Sequence, residues 1–493
     1  MEQHSLIIMA YIVVQVALAV HVLMSRHGEP QSAMLWLLMI LLMPGAGILL
    51  YMFFGFNRVR SKTIAIAQSM HELQLEREAY FKEKYCKFSE VFAEYIINEP
   101  PADESNYALD RLLPHDALRV GGNRVELLRD GVSAYAQMLR EIKNAKSTIN
   151  LQSFIISNDL ISRVIFDALE ERARAGVAVK VIYDGFGSIK AYFGHFFHRY
   201  TRNRLENFEI RAFSPLNIFT PWRIQMRNHR KLMIVDGRIA FTGGINISDD
   251  NVANILKRPK TRHIHDLHCR ITGPAVSEFQ MAFLRDWVFA ASTHLTDVIK
   301  PEYFPAPQRT GKAIIRVVSS GPGQYDSASM DVFFTAAATA RKKLWIMSPY
   351  FVPDQTFVKA LTMAAARGVD VKVIVPKLNN HFYVDWAAQS LYRTFLAGGV
   401  KIYSRRGAFS HAKAMLVDDQ WSLMGSSNCD VRSFRLNYEL DFCTWQSDFI
   451  DELRHQFQDE LENSDEIMLE KVMNKSFSRK FVENLCALLT PIL

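Results

Sequence analysis

The chain has 493 residues, 49% of them apolar and 22% charged, a globular composition too long for one ordinary core, so two or three domains are expected. A formal charge of +7 favours an anionic partner, either phospholipid headgroups or nucleic acid. The five cysteines (Cys86, Cys269, Cys429, Cys443 and Cys486) are odd in number, widely spread and free of CxxC or metal-ligand spacing, which argues against a disulfide scaffold and for a reduced compartment.

Two apolar stretches come first. Residues 5–24 (SLIIMAYIVVQVALAVHVLM) and 32–54 (SAMLWLLMILLMPGAGILLYMFF) contain no Lys, Arg, Asp or Glu, and each is long enough to cross a hydrocarbon core of about 30 Å as a helix. The link SRHGEPQ makes them a hairpin, giving a transmembrane unit over residues 1–56. Without a basic n-region, and with a second span following at once, the first stretch reads as an uncleaved anchor rather than a signal peptide. Arg58, Arg60 and Lys62 follow the second span against Arg26 alone in the link, so the positive-inside rule puts the rest of the chain in the cytoplasm. Pro44, Gly45 and Gly47 are expected to loosen the second helix. Residues 57–115 change character to a charged amphipathic helical linker, either a spacer or a helix resting on the bilayer surface, that ends near Pro100 and Pro101.

Beyond residue 115 the chain repeats itself. KSTINLQSFIISND (146–159) aligns with RKKLWIMSPYFVPD (341–354), setting Ser153 on Ser348 and Asp159 on Asp354, and RAGVAVKVI aligns with RGVDVKVI. Each copy runs strand, helix, "GV" turn, strand, helix, strand, motif strand, the order of an α/β domain with a sheet flanked by helices. The two domains are expected at 116–300 and 312–493, related by a pseudo-twofold axis with their motifs meeting at the interface.

The motifs are NHRKLMIVDGRIAFTGGIN (228–246) and SHAKAMLVDDQWSLMGSSN (410–428). His229, Lys231, Asp236, Gly243 and Asn246 in the first recur at the same offsets as His411, Lys413, Asp418, Gly425 and Asn428 in the second. Leu232–Val235 reads as a buried strand, whose two-residue period would put His229 and Lys231 on one face, and Asp236 closes it at an Asp-Gly turn. Two imidazoles, two ammonium groups and two amides converging on one centre suit a phosphodiester: lysines and asparagines hold the non-bridging oxygens, one imidazole attacks phosphorus and the other protonates the departing oxygen. No metal-ligand cluster is needed to offset the phosphate charge, and no cofactor is expected.

A nucleophilic imidazole needs a carboxylate on its other nitrogen to fix its tautomer. The candidates are Glu439, 28 residues after His411, and Asp266, 37 residues after His229 and behind the basic insertion KRPKTRH. The clusters RNHRK, KRPKTR and SRR are expected to face anionic lipid or solvent. Cys429, beside Asn428, invites a redox reading, though packing is the simpler one.

The duplicated His-x-Lys-x4-Asp-x6-Gly-x-x-Asn pattern resembles the phospholipase D superfamily from residue 116 to the end. YMFFGFNR, DGFGS, SGPG, SPYFVPD, GSSNCDVRSFRLNYE, the C-terminal LLTPIL and the two spans ahead of them resemble, within it, the bacterial cardiolipin synthases. The resemblance implies transfer of a phosphatidyl group between two phosphatidylglycerol molecules at the inner membrane, through a phosphohistidine, with glycerol released. It implies His229, Lys231, Asp236, His411, Lys413 and Asp418 as the catalytic set, His229 being the nucleophile by analogy with first-motif histidines. Asn246, Asn428 and Ser426 would be phosphate ligands, and Asp266 and Glu439 the orienting carboxylates. The sequence departs from the pattern at Gly244, where the second motif has Ser426, and lacks a tryptophan shortly before Asp266. Three rivals remain at this level: a nucleic-acid phosphodiesterase, disfavoured by the membrane hairpin; a catalytically dead lipid-binding scaffold, disfavoured by two complete motifs; and a phospholipid hydrolase, which differs only in how dry the pocket is. Oligomeric state is left open.

Overall fold

Runs such as Thr148–Ser153, Ala178–Asp184, Lys343–Met347 and Asp370–Pro376 are buried along nearly their whole length, the pattern of strands covered by helices on both faces. The computed structural model describes residues 2–25, 30–43, 45–51, 86–98, 104–114, 117–202, 205–215, 226–256, 263–322, 327–445 and 447–490. Their strands join in a 16-stranded mixed α/β sheet in which the two halves repeat one order. From its outer edge the first half runs Phe208–Phe213, Ala178–Asp184, Thr148–Ser153, Leu232–Val235, Ile239–Gly243, Leu267–Thr272 and Val120–Arg129. The second runs Lys401–Arg405, Asp370–Pro376, Lys343–Met347, Ala414–Val417, Trp421–Gly425, Asn437–Trp445 and Ala313–Ser320, with Ser464–Glu466 added at its edge. The first strands of the halves pair antiparallel, Val120 opposite Ile315 and Asn123 opposite Ala313, so the sheet is continuous across the duplication.

Local signals repeat as well. Asp159 caps the helix Leu160–Arg174 by accepting from the Ser162 amide, and Asp354 caps Gln355–Ala366 through the Phe357 amide. Each helix is followed by a glycine in the left-handed region, Gly176 at φ 94° and Gly368 at φ 92°, which turns the chain into the next strand. Each half has its own apolar core, and a third core belongs to both. There the helix Val276–Ala291 supplies Phe279, Phe283 and Trp287, and the helix Ser447–Glu462 supplies Phe449, Leu453 and Phe457. Phe279 meets Phe442 across the junction. The halves therefore fold against each other rather than as beads on a linker.

At the amino terminus the helices Glu2–Ser25 and Pro30–Leu42 pack as a hairpin, with Gln15 donating to the Ile40 carbonyl at 2.8 Å and His21 bonded to the Tyr51 hydroxyl at 2.8 Å. The second span is not one helix. It stops at Leu42 and resumes as Ala46–Leu50, with Gly45 at φ 76° and Gly47 so close to Met39 that a Cβ would fall 2.0 Å from its carbonyl oxygen. Among the described residues no helix is long and apolar enough to cross a membrane; the side chains of residues 2–8 and Ala10, and residues 52–54 of the second span, lie outside them. Much of the linker, residues 57–85, 99–103 and 115, also lies outside them. The rest of it is docked: Leu109 and Leu113 are buried in the second core, and Asp110 pairs with Arg316 and Arg119.

Candidate active site

Each motif histidine sits just ahead of its strand, not within it: the strand begins at Leu232, and His229–Lys231 form the segment leading into it. That segment is zipped to the other half of the molecule. Arg227–Asn228 pairs in parallel with Asn437–Tyr438, and the His229 amide donates to the Tyr438 carbonyl at 2.9 Å. Symmetrically, Phe409–Ser410 pairs with Ile264–His265, and the His411 amide donates to the His265 carbonyl at 2.7 Å. The next residue along each partner strand is a candidate carboxylate, and this decides their pairing. His229 Nδ1 lies 3.1 Å from Glu439 Oε2 and 3.0 Å from the Ser426 carbonyl, while His411 Nδ1 lies 2.8 Å from Asp266 Oδ2. Each imidazole is thus held by the carboxylate of the opposite half, not by the one that follows it in sequence.

His229 and His411 line one cavity of about 480 Å³ built from both halves. Asn246 and Asn428 line it too; Asn246 Oδ1 accepts from the Ile155 amide, and Asn428 Oδ1 has no hydrogen-bond partner among the described residues. Phe154 packs edge-on to His229 at 5.0 Å and Tyr350 edge-on to His411 at 6.1 Å; Phe186, Tyr383 and Phe409 extend an apolar wall. The lysines lie beside the histidines. Lys231 Nζ donates to the His229 carbonyl at 2.5 Å, and Lys413 Nζ donates to the His411 carbonyl at 2.7 Å and lies 3.0 and 3.1 Å from the His411 ring nitrogens.

Burial and two neighbouring ammonium groups depress both imidazoles. His229 is held well below its ordinary value by burial, then by Lys231 and Lys413. Burial and Lys413 bring His411 down to about 4, against the upward pull of Asp266. Burial lowers Lys231, and lowers Lys413 to about 8, with Asp266 and Glu439 pulling the other way. Burial raises Glu439, opposed by Lys231 and by hydrogen bonds from Ser426 and Asn437. Around neutrality the site therefore holds neutral imidazoles whose Nδ1 faces a carboxylate; Nε2 of His229 points away from its carboxylate, while Nε2 of His411 lies 3.1 Å from Lys413 Nζ.

Three expectations change. Ser426 is engaged within the protein in this arrangement: its hydroxyl is fully buried, donates to Glu439 Oε2 at 2.5 Å and accepts from the Leu440 amide. At the equivalent place Gly244 leaves room for Asp266, since a Cβ there would fall 2.1 Å from Asp266 Oδ1. Gly244→Ala should accordingly displace Asp266 and cut turnover by about a hundredfold or more, the scale for losing a histidine-orienting carboxylate; activity close to the parent's would count against Asp266 as the orienting group.

Asp236 and Asp418 lie at the far ends of their strands, away from the cavity. Asp236 accepts from the amides of Lys146, Ser147 and Thr148, and Asp418 from those of Arg341, Lys342 and Lys343. Each closes the turn before the second strand of its half. Asp236→Ala is expected to cost about 1–3 kcal/mol of stability, seen as a lower Tm, with turnover per folded molecule within about threefold of the parent.

The basic cluster RNHRK is not at the surface either. Arg227, Arg230 and Lys231 are buried, and Arg230 bonds Asp286 at 2.7 Å, the Glu439 carbonyl at 3.0 Å and Ser319 at 2.6 Å. Arg230 therefore fixes the strand that carries Glu439. Its one sequence signal is the contrast with Ala412 at the matching place. In SRR, Arg405 pairs with Glu460 and Arg406 with Asp465; residues 257–262 of the basic insertion lie outside the described residues. Cys429 is fully buried with its thiol pushed up by burial, which suits packing rather than redox chemistry.

This duplicated, interlocked arrangement has relatives. The model for "Cardiolipin synthase, PLD-like domain" matches residues 138–287 and 334–461, more than half of the chain, and "Phospholipase_D-nuclease N-terminal" matches residues 13–55. The chain belongs to the cardiolipin synthase family. Within that family, it is similar to cardiolipin synthase 1 of Bacillus anthracis, 32% identical over 491 residues that cover 96% of this chain and 91% of the relative. The major cardiolipin synthase ClsA of Bacillus subtilis is 29% identical and is matched end to end. A solved phosphatidylserine synthase from Haemophilus influenzae covers 79% of this chain and 100% of its own with a TM-score of 0.61 at 16% identity, a likeness of fold.

Proposed function

We propose that this chain is a cardiolipin synthase that moves a phosphatidyl group from one phosphatidylglycerol to the glycerol hydroxyl of another. The observation that carries the reading is the pair of depressed, carboxylate-held imidazoles in one cavity with two lysines beside them. Nε2 of one imidazole attacks phosphorus; the N–P bond forms as the P–O bond to glycerol breaks, and the second imidazole gives its proton to the departing oxygen. An incoming phosphodiester offsets the two lysines that depress that imidazole, so substrate itself favours the protonated acid. In the return step the same imidazole takes the proton from the hydroxyl of the second phosphatidylglycerol, and the new P–O bond expels histidine. Lys231, Lys413, Asn246 and Asn428 hold the non-bridging oxygens. The aromatic wall keeps water from competing with the lipid hydroxyl for the phosphohistidine.

We further infer that the amino-terminal hairpin lies in the bilayer of a bacterial inner membrane, with the catalytic halves on the cytoplasmic side. Met9, Ile12, Val13, Val16 and Val20 on the first helix and Leu35, Leu38 and Leu41 on the second are exposed, which supports a lipid surround rather than water.

Mass spectrometry of phosphatidylglycerol vesicles incubated with the purified protein tests the reading. Cardiolipin with free glycerol is expected; phosphatidic acid without cardiolipin would make the chain a hydrolase.

A further inference from the structure

The duplication offers an internal comparison: whatever both halves supply serves the shared phosphate, and whatever only one supplies makes the cavity one-sided. Two residues before the motif histidine stands Arg227 in the first half and Phe409 in the second; 21 residues after it stands Asp250 in the first and Arg432 in the second. Both arginines line the cavity, as His229 does. Arg227 is buried, lies 3.6 Å from Asp184 and packs over the Phe186 ring at 4.9 Å. Arg432 is partly exposed, on the helix Val431–Arg435 that follows Asn428. That helix leads straight into Asn437–Tyr438, the segment paired with Arg227–Asn228 next to His229, so the two guanidinium groups are carried on the His229 side of the cavity. At the matching place on the His411 side is the ring of Phe409, 5.9 Å from the His411 ring.

The proposed reaction needs such a difference. Lys231, Lys413, Asn246 and Asn428 are duplicated and serve one phosphate. The second phosphatidylglycerol brings another phosphodiester monoanion into the same largely apolar cavity, where two like charges repel strongly unless a separate cation receives the second. Guanidinium suits that task, because its planar fork matches phosphate oxygens and it keeps its charge when partly buried.

We propose that Arg227 and Arg432 form a second anion subsite beside His229 that holds the phosphodiester of the acceptor phosphatidylglycerol. This rests on the cardiolipin synthase reading and adds to it where the acceptor binds. From there, the acceptor's terminal hydroxyl is one three-carbon headgroup away from its bound phosphate and reaches the phosphohistidine.

The test uses the full-length protein in phosphatidylglycerol vesicles with two readouts. One is cardiolipin formation. The other is incorporation of labelled free glycerol into phosphatidylglycerol, in which a neutral acceptor without a phosphate meets the same phosphohistidine. Arg432→Gln is expected to lower cardiolipin formation about tenfold to a hundredfold, the loss of one charge-assisted contact, while glycerol exchange stays within about twofold. Arg432→Lys should recover part of the loss, and an unchanged melting curve will separate binding from folding. Parallel loss of both activities would overturn the subsite, since Arg432 would then serve the donor or the fold; undiminished cardiolipin formation would overturn it too. A parent protein that exchanges glycerol yet makes no cardiolipin would instead bring down the synthase reading on which the subsite rests.

Discussion

Replacing either His229 or His411 with alanine is expected to lower cardiolipin formation by about a thousandfold or more with the fold intact, because these two imidazoles are the ones a carboxylate of the opposite half holds in place for attack and proton transfer. The two losses differ in kind. With the nucleophile gone no phosphoenzyme forms; with only the acid/base partner gone, a phosphohistidine can accumulate from a donor whose leaving group needs no proton. Rapid quenching with such an activated phosphatidyl donor therefore says which histidine attacks, and near-normal turnover in either variant would sink the mechanism. The pH profile tests the depressed imidazoles separately. A folded-state value of about 4 for His411, against an ordinary 6.5, means that the neutral base survives as pH falls until about 4. As pH rises through about 7 to 8, Lys231 and then Lys413 lose their protons and with them the attraction for phosphate. The expected kcat/KM profile is a bell whose acid limb lies well below the usual imidazole range.

Glu439→Gln and Asp266→Asn are expected to cost about a hundredfold or more each, with membrane association unchanged, since an amide in place of a carboxylate no longer secures the reactive tautomer. The crossed pairing makes this prediction specific. In protein carrying ¹⁵N-labelled histidine, Glu439→Gln should shift the ring nitrogens of His229 and leave those of His411, and Asp266→Asn should do the reverse. Shifts that followed sequence proximity, Glu439 with His411, would contradict the geometry of the site.

The histidines, lysines and asparagines were legible in the sequence because a duplicated motif carries its own control, and the repeated strand order was legible because Ser153 with Ser348 and Asp159 with Asp354 align without gaps. The crossed carboxylates were not. They depend on Arg227–Asn228 pairing with Asn437–Tyr438 and Phe409–Ser410 with Ile264–His265, contacts between segments more than a hundred residues apart that no local pattern encodes. Asp236 and Asp418 look catalytic in a linear motif. A four-residue strand rising about 3.3 Å per residue carries each well over 10 Å from its histidine, onto the turn at the other end. The bonding of Ser426 to Glu439 was hidden for a related reason, because adjacency to Asn428 in sequence says nothing of which side of the strand end the hydroxyl faces. Arg230 escaped notice as the variable position of His-x-Lys, although it is the residue that anchors the Glu439 backbone.

The exchange of carboxylates has a hereditary consequence. Severed between residues 300 and 312, the chain would give two fragments, each holding a histidine whose partner resides in the other, so neither inherits a working base and activity could return only on reassociation. Lesions far apart in the gene, at His229 and Glu439, disable one and the same chemical group.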